Sequence, residues 1–234
     1  MRTLILRFEA PLMAFGGVAV DERLPTSRFP GLSMVCGMIG NALGFRRGDG
    51  QALQELQADM EIASRLDRPG HLLRDYQTAR LDAGDRMWTT RGVRAGRDGG
   101  AKGAFTCQLE KEFLSDASVT LAVSVPDDRI EAIGSALLEP ARPLFLGRAS
   151  CLPSCQILIG IEEHPDLLMA VRTVPFDGPE TMLRAQWPAR LGGAEQSRLA
   201  WVPDIRDWTN RVHSGVREVR EGMIALAKPE VVPC

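Results

Sequence analysis

The sequence predicts a mixed α+β fold, on three observations. Alternating or β-branched runs recur at residues 3–8, 60–66, 72–78, 117–125 and 156–161. Helical patterns of apolar residues fall between them, and Pro or Gly marks many of the changes. The 234 residues are 44% hydrophobic, ample for a core in one large domain or two small ones.

Residues 3–8 alternate and read as a first strand. An arginine- and proline-rich approach follows, RLPTSRFPGLSMVCGMIGNALGFRR from Arg23 to Arg47, in which Pro25 and Pro30 push Leu24 and Phe29 towards extended backbone. A helix begins just after Pro30. Leu32, Val35, Cys36, Ile39 and Leu43 recur at helical spacing as a core face, and Ser33, Gly37, Gly40 and Gly44 form a second stripe of small residues. Glycine inside a helix costs about 1 kcal/mol relative to alanine, so the stripe answers a packing or binding demand. Either a strand or loop of the same chain lies in it, or a phosphate backbone approaches the helix N-terminus.

Asp49 is placed to cap a second short helix carrying Leu53 and Leu56, and the strand at residues 60–66 breaks at Pro69-Gly70. After the strand at 72–78, residues 79–104 lose apolar periodicity and fill with Gly, Arg and Asp, the pattern of a long loop or projecting hairpin. The strand at 117–125 leads through Pro126-Asp127-Asp128 into a helix with Ile130, Ile133, Leu137 and Leu138 on its buried face, and residues 156–161 return as a strand. The order β-α-β-β-α-β is that of a ferredoxin-like fold, the scaffold also used by RNA-recognition (RRM-like) domains. Beyond His164 the chain is rich in Pro, Gly, Trp and Arg, with β-like pieces near 168–174 and 215–224. Residues 163–234 are therefore expected to be a small β-rich subdomain on a ferredoxin-like domain at 1–162.

A net charge of −2 argues against a protein that coats nucleic acid indiscriminately. Of 28 basic residues only Lys102, Lys111 and Lys228 are lysine, and arginine suits bidentate phosphate contacts and base stacking. Arg86, Arg91, Arg94, Arg97 and Lys102 face one acidic neighbour in sequence, Asp98, and make a local basic patch. The start, MRTLILRFEAPLMAF, is too interrupted by charge for a signal peptide, and no stretch approaches the apolar length of a membrane span. Five irregularly spaced cysteines fit reduced thiols, so a cytoplasmic protein with no membrane partner is expected. Walker, GxGxxG and GxSxG motifs are absent, and Cys151, Cys155 and His164 lack a fourth zinc ligand. No cofactor or metal is expected.

Several segments together resemble one family. LILRFEAPLMAFG (from Leu4), PTSRFPGLSMVCGMIGNALGF (from Pro25), RDYQTA (from Arg74), LSDASVTLAV (from Leu114) and PLFLGRASCLPS (from Pro143) are similar, in the same order, to the blocks of the CasD family of subtype I-E CRISPR Cascade subunits, the fifth Cas family. The resemblance implies a RAMP-type protein: a ferredoxin-like domain, a projecting thumb and a smaller C-terminal β subdomain. It implies a non-catalytic subunit that binds the 5′ handle of the CRISPR RNA and caps an RNA-guided surveillance complex in antiviral defence. Its partners would be the backbone subunit CasC and the large subunit CasA, with target DNA met through the assembly and precursor RNA cut by CasE.

On this reading Arg23, Thr26, Ser27, Arg28, Ser33 and helix N–H groups meet handle phosphates, and Phe29 either stacks on an unpaired base or anchors the loop in the core. Arg86, Arg91, Arg94, Arg97 and Lys102 sit where the thumb belongs and clamp RNA, with Trp88 as a wedge, unless the segment is a solvated loop. Arg148 and Ser150 are further candidates, and Ala149 stands where the family's Gly-Arg-Arg-Ser-Cys block has its second arginine. Two alternatives stay open. A relative in subtype I-C systems processes precursor RNA, so His71, Tyr76 and Lys102 form the candidate acid/base set for attack by a 2′-OH, although no motif joins them. The other is a pure assembly subunit whose basic loop meets an acidic protein.

Overall fold

The computed structural model describes residues 1–19, 21–81, 87–88, 94–95, 105–193 and 196–227. Its elements are β1 (Arg2–Glu9), β2 (Leu12–Met13), β3 (Arg23–Leu24), α1 (Leu32–Ala42), α2 (Gly50–Ala58), β4 (Glu61–Arg68), β5 (His71–Leu81), β6 (Met87–Trp88), β7 (Arg94–Ala95) and β8 (Phe105–Ser115). They continue as β9 (Ser118–Ser124), α3 (Asp127–Leu138), β10 (Leu158–Glu163), α4 (Leu167–Thr173), β11 (Met182–Pro188), β12 (Ser197–Asp207) and β13 (Val212–Ala225).

Alternation in the strands divides the core. In β1 the side chains of Leu4, Leu6 and Phe8 join the larger cluster with α1, α2 and α3, while Ile5 joins a smaller one with Leu167, Ala170 and Val171 of α4. The sheet between them runs β10-β1-β9-β4-β11-β13-β12, antiparallel at every pairing. β11 lies beside β4, so the C-terminal strands lengthen the sheet that the N-terminal ones begin. Arg65, fully buried on β4, locks α4 to this sheet. It pairs with Asp67 at 2.5 Å and donates to the carbonyls of Val171 and Val174, both at 2.7 Å.

A second sheet holds β2, β3 and the long ladder of β5 with β8, paired from His71↔Ser115 to Leu81↔Phe105. The strand expected at 72–78 thus leaves the main sheet as the stem of an excursion. Its partner β8 is missing from the sequence reading, because among its described side chains only Phe113 and Leu114 are buried and its charged centre carries little apolar signal.

Two more local expectations are corrected. Of residues 168–174, read as β-like, all but the C-cap Val174 belong to α4, whose Asp166 carboxylate accepts the Met169 N–H at 2.8 Å as an N-cap. Leu138 is exposed, since the buried face of α3 runs through Ile130, Ile133, Gly134 and Leu137 and turns away one residue later. Asp49 does precede α2, but its carboxylate accepts the Arg46 N–H at 2.8 Å and makes no side-chain cap to the helix.

Candidate nucleic-acid interface

The small-residue stripe of α1 has two kinds of neighbour. A Cβ at Gly40 would meet a Leu53 methyl of α2, and one at Gly37 would lie 3.2 Å from the Trp208 ring just past β12. Both are packing within the chain, so the own-chain reading of the stripe holds at these positions. Trp208 is fixed there: its indole N–H donates to Gln57 Oε1 and its backbone N–H to Gln54 Oε1, both at 3.1 Å. Buried Gln57 also exchanges hydrogen bonds with the backbone of Arg206, donating to its carbonyl at 2.9 Å and accepting its N–H at 3.2 Å. Cys36, on the same helix, has its thiol pushed up to about 12 by burial and stays protonated.

The N-terminus of α1 is not free for a phosphate in the way the sequence suggested. Asp204 of β12 accepts the Leu32 N–H at 2.8 Å and pairs with Arg217 at 2.8 Å, both side chains being largely buried. A carboxylate of the chain itself already occupies the positive end of the helix. Asp204→Ala is expected to cost about 2–3 kcal/mol, because it removes the cap and strands Arg217 without a counter-charge. Urea unfolding measures this, and a loss below about 0.5 kcal/mol would mean that the bridge is incidental.

Between this helix, the loop after β2 and the β12–β13 hairpin lies a cleft of about 810 Å³. Phe15, Met34, Met38, Phe145 and Val202 supply much of its apolar lining; Ser27, Ser33, Asn41, Arg148, Arg206 and His213 supply polar groups. Of the sequence candidates, Ser27, Phe29, Ser33 and Arg148 line it. Phe29, only 5% exposed, is a member of the main core; the stacking role considered for it is corrected to an anchor, because its ring is already packed. Thr26 is structural at both ends: its hydroxyl accepts the Phe15 N–H at 3.0 Å and its own N–H donates to Glu112 at 3.3 Å.

Arg148 is corrected likewise from an open RNA contact to a strut. Its guanidinium donates to the carbonyls of Glu112 (2.8 Å) and Leu24 (2.9 Å) and lies 4.6 Å from the Phe113 ring centre. Glu112, which the sequence reading did not single out, therefore joins β8 to three segments, since it also pairs with Arg74 at 3.3 Å. Arg23 is exposed beside Glu110, at 3.4 Å. Ser150 is exposed near the β5–β8 stem. Arg28 is exposed between two cleft residues and has no hydrogen-bond or ion-pair partner among the described residues. Arg86, Arg91, Arg97 and Lys102 lie outside the described residues; Trp88 and Arg94 are paired strand positions of β6 and β7.

The site residues missed in sequence are Asp204, Arg206, Trp208 and His213, which reach α1 only through long-range strand pairing. Only the Trp and Arg richness of that region hinted at them. Of the acid/base alternative, His71 and Tyr76 stand five residues apart on β5, hence on opposite faces, and Lys102 lies outside the described residues. Among the described residues no three His, Cys, Asp or Glu side chains gather as a metal site, and no helix is long and apolar enough to cross a membrane.

Comparison with known proteins bears on this arrangement. The family model described as CRISPR-associated protein (Cas_Cas5) matches residues 3–220. The CRISPR system Cascade subunit CasD of Escherichia coli (strain K12) is 32% identical over 166 residues, which is 70% of this chain and 72% of that protein. A chain of a solved CRISPR RNA-guided surveillance complex superposes with a TM-score of 0.70 at 24% identity, over 98% of this chain and 95% of that one. A solved Cas protein gives a TM-score of 0.66 at 25% identity, over 99% and 100%. With a family match along almost its whole length and a curated Cascade relative, the chain belongs to the CRISPR-associated Cas5 family.

Proposed function

We propose that this protein is a non-catalytic, cytoplasmic subunit of a type I-E Cascade complex that binds the 5′ handle of the CRISPR RNA and caps that end of the assembly beside CasC and CasA. Target DNA is met through the complex. The observation that carries the reading is the cleft along α1, with Arg28, unpaired among the described residues, standing between Ser27 and Phe29, which line it. An apolar floor with polar edges suits splayed bases of a single strand and their phosphates. The order β10-β1-β9-β4 is the fourth, first, third and second strand of a βαββαβ unit, which supports a ferredoxin-like domain at 1–162 with the β5–β8 stem as the base of a thumb. Residues 163–234 are assigned to a C-terminal β subdomain, whose β12–β13 hairpin supplies the cleft's far wall. Arginines of the 79–104 segment, together with Trp88, Ser150 and Arg23, are assigned to RNA further along the strand.

Arg28→Ala is expected to weaken binding of the handle RNA by about 1–3 kcal/mol, the scale of a charged hydrogen-bonded contact, without moving the unfolding midpoint. Filter binding at two salt concentrations beside thermal unfolding measures it. Normal binding, or loss only in step with stability, would make the loop structural and remove the handle from this cleft. Cleavage of repeat RNA by the purified protein, abolished by His71→Ala, would restore the endoribonuclease reading.

A further inference from the structure

We propose that the β12–β13 hairpin is the second jaw of the RNA site, with Arg206 and His213 as the groups that meet phosphates of a strand lying along α1. This inference rests on the handle-binding reading above. Arg206 and His213 are direct cross-strand partners, so their side chains leave the same face of the hairpin, and both line the cleft. Among the described residues neither has an ion-pair partner. The one carboxylate lining the cleft, Asp204, is committed to Arg217 and the Leu32 N–H, and the other arginine there, Arg148, spends donors on backbone carbonyls. Of the two arginines lining the cleft, Arg206 on the hairpin therefore commits fewer donors to backbone carbonyls.

Its positioning is built in. The Arg206 guanidinium lies 5.2 Å from the Trp208 ring centre and gives one N–H to the Arg211 carbonyl at 3.1 Å, while Gln57 holds both Trp208 and the Arg206 backbone. The turn beyond is tied by Asn210, whose backbone N–H and side-chain amide donate to Asp207 and hold that carboxyl below its ordinary range. A guanidinium so braced loses little freedom when a phosphate arrives. A single RNA strand is favoured over a protein segment, because the groove joins an apolar floor that accepts base faces to the Arg206 guanidinium and the His213 ring on one wall.

The test uses the full chain and a fluorescent RNA oligonucleotide copied from the 5′ handle of the host's own CRISPR repeat. The double variant Arg206→Gln, His213→Gln is expected to bind about ten-fold more weakly by anisotropy and to show a shallower salt dependence, with an unchanged unfolding midpoint. Arg206→Lys should recover part of the loss. If the double variant binds normally while Arg28→Ala is weakened, the hairpin jaw is wrong and the handle reading stands; if both bind normally, both fall. Normal RNA binding with failure to co-purify with the backbone subunit would make this wall a protein contact and overturn the inference. Should Arg206→Gln unfold the protein, His213→Glu at its exposed position decides alone: a loss of about five-fold supports the jaw, and normal binding rejects it.

Discussion

Gly147→Ala is expected to unfold the protein or to leave it without a formed cleft. Gly147 has φ +98°, a left-handed conformation that disfavours any side chain, and a Cβ there would run into the carbonyl oxygen of Ala14. Neither side can move cheaply. The Ala14 N–H donates to Leu146 at 3.1 Å, Leu146 takes its own N–H bond to Cys151 at 2.7 Å, and Arg148 then clamps the next residue to β3 and β8. Strain and overlap together should cost about 4 kcal/mol or more, a large share of a domain's stability. Urea unfolding or soluble yield checks this; a variant within about 1 kcal/mol of the parent would mean that the 146–151 loop can swing away from β2.

The second large effect is expected at Arg65. Arg65→Met should cost about 3–5 kcal/mol, because it leaves Asp67 without its counter-charge and two buried carbonyls of the α4 end without a donor. Asp67 then keeps the Thr120 hydroxyl as a donor. Adding Asp67→Asn should recover part of the loss, since the stranded charge is then gone. A double-mutant cycle in urea reads the coupling directly, and additive effects would show that the two side chains act separately.

How much could be read in advance depended on the range of the forces. The α1 helix, its core face and its start after Pro30 were legible because periodicity and proline act within a few residues. The β5–β8 stem was half legible: β5 showed an apolar start, whereas β8 has a charged centre and is held mainly by its ladder to β5. α4 is hidden in the sequence because Asp166, its cap, lies just before the apolar segment with the β-like pattern. The far wall of the cleft was illegible for a stronger reason. The residue that caps α1 is Asp204, and the N-cap position itself is Gly31, whose missing side chain leaves room for it; no local capping rule looks that far along a chain. Nor does an arginine count separate Arg28, which has no partner among the described residues, from Arg148, which is spent on carbonyls.

The pairing of β11 with β4 also fixes when the cleft can exist. Arg184 meets Leu66 and Asp204 meets Leu32, so the edge of β4 and the start of α1 must wait until β11 and β12 have been made. At synthesis rates of about 5–20 residues per second that interval lasts on the order of ten seconds. During it the nascent chain presents a bare strand edge and an uncapped helix, a state open to chaperones and to wrong pairing. The grip on α1 is completed only when β12 arrives, so the cleft is not closed on a ribosome-bound chain until that strand has been made.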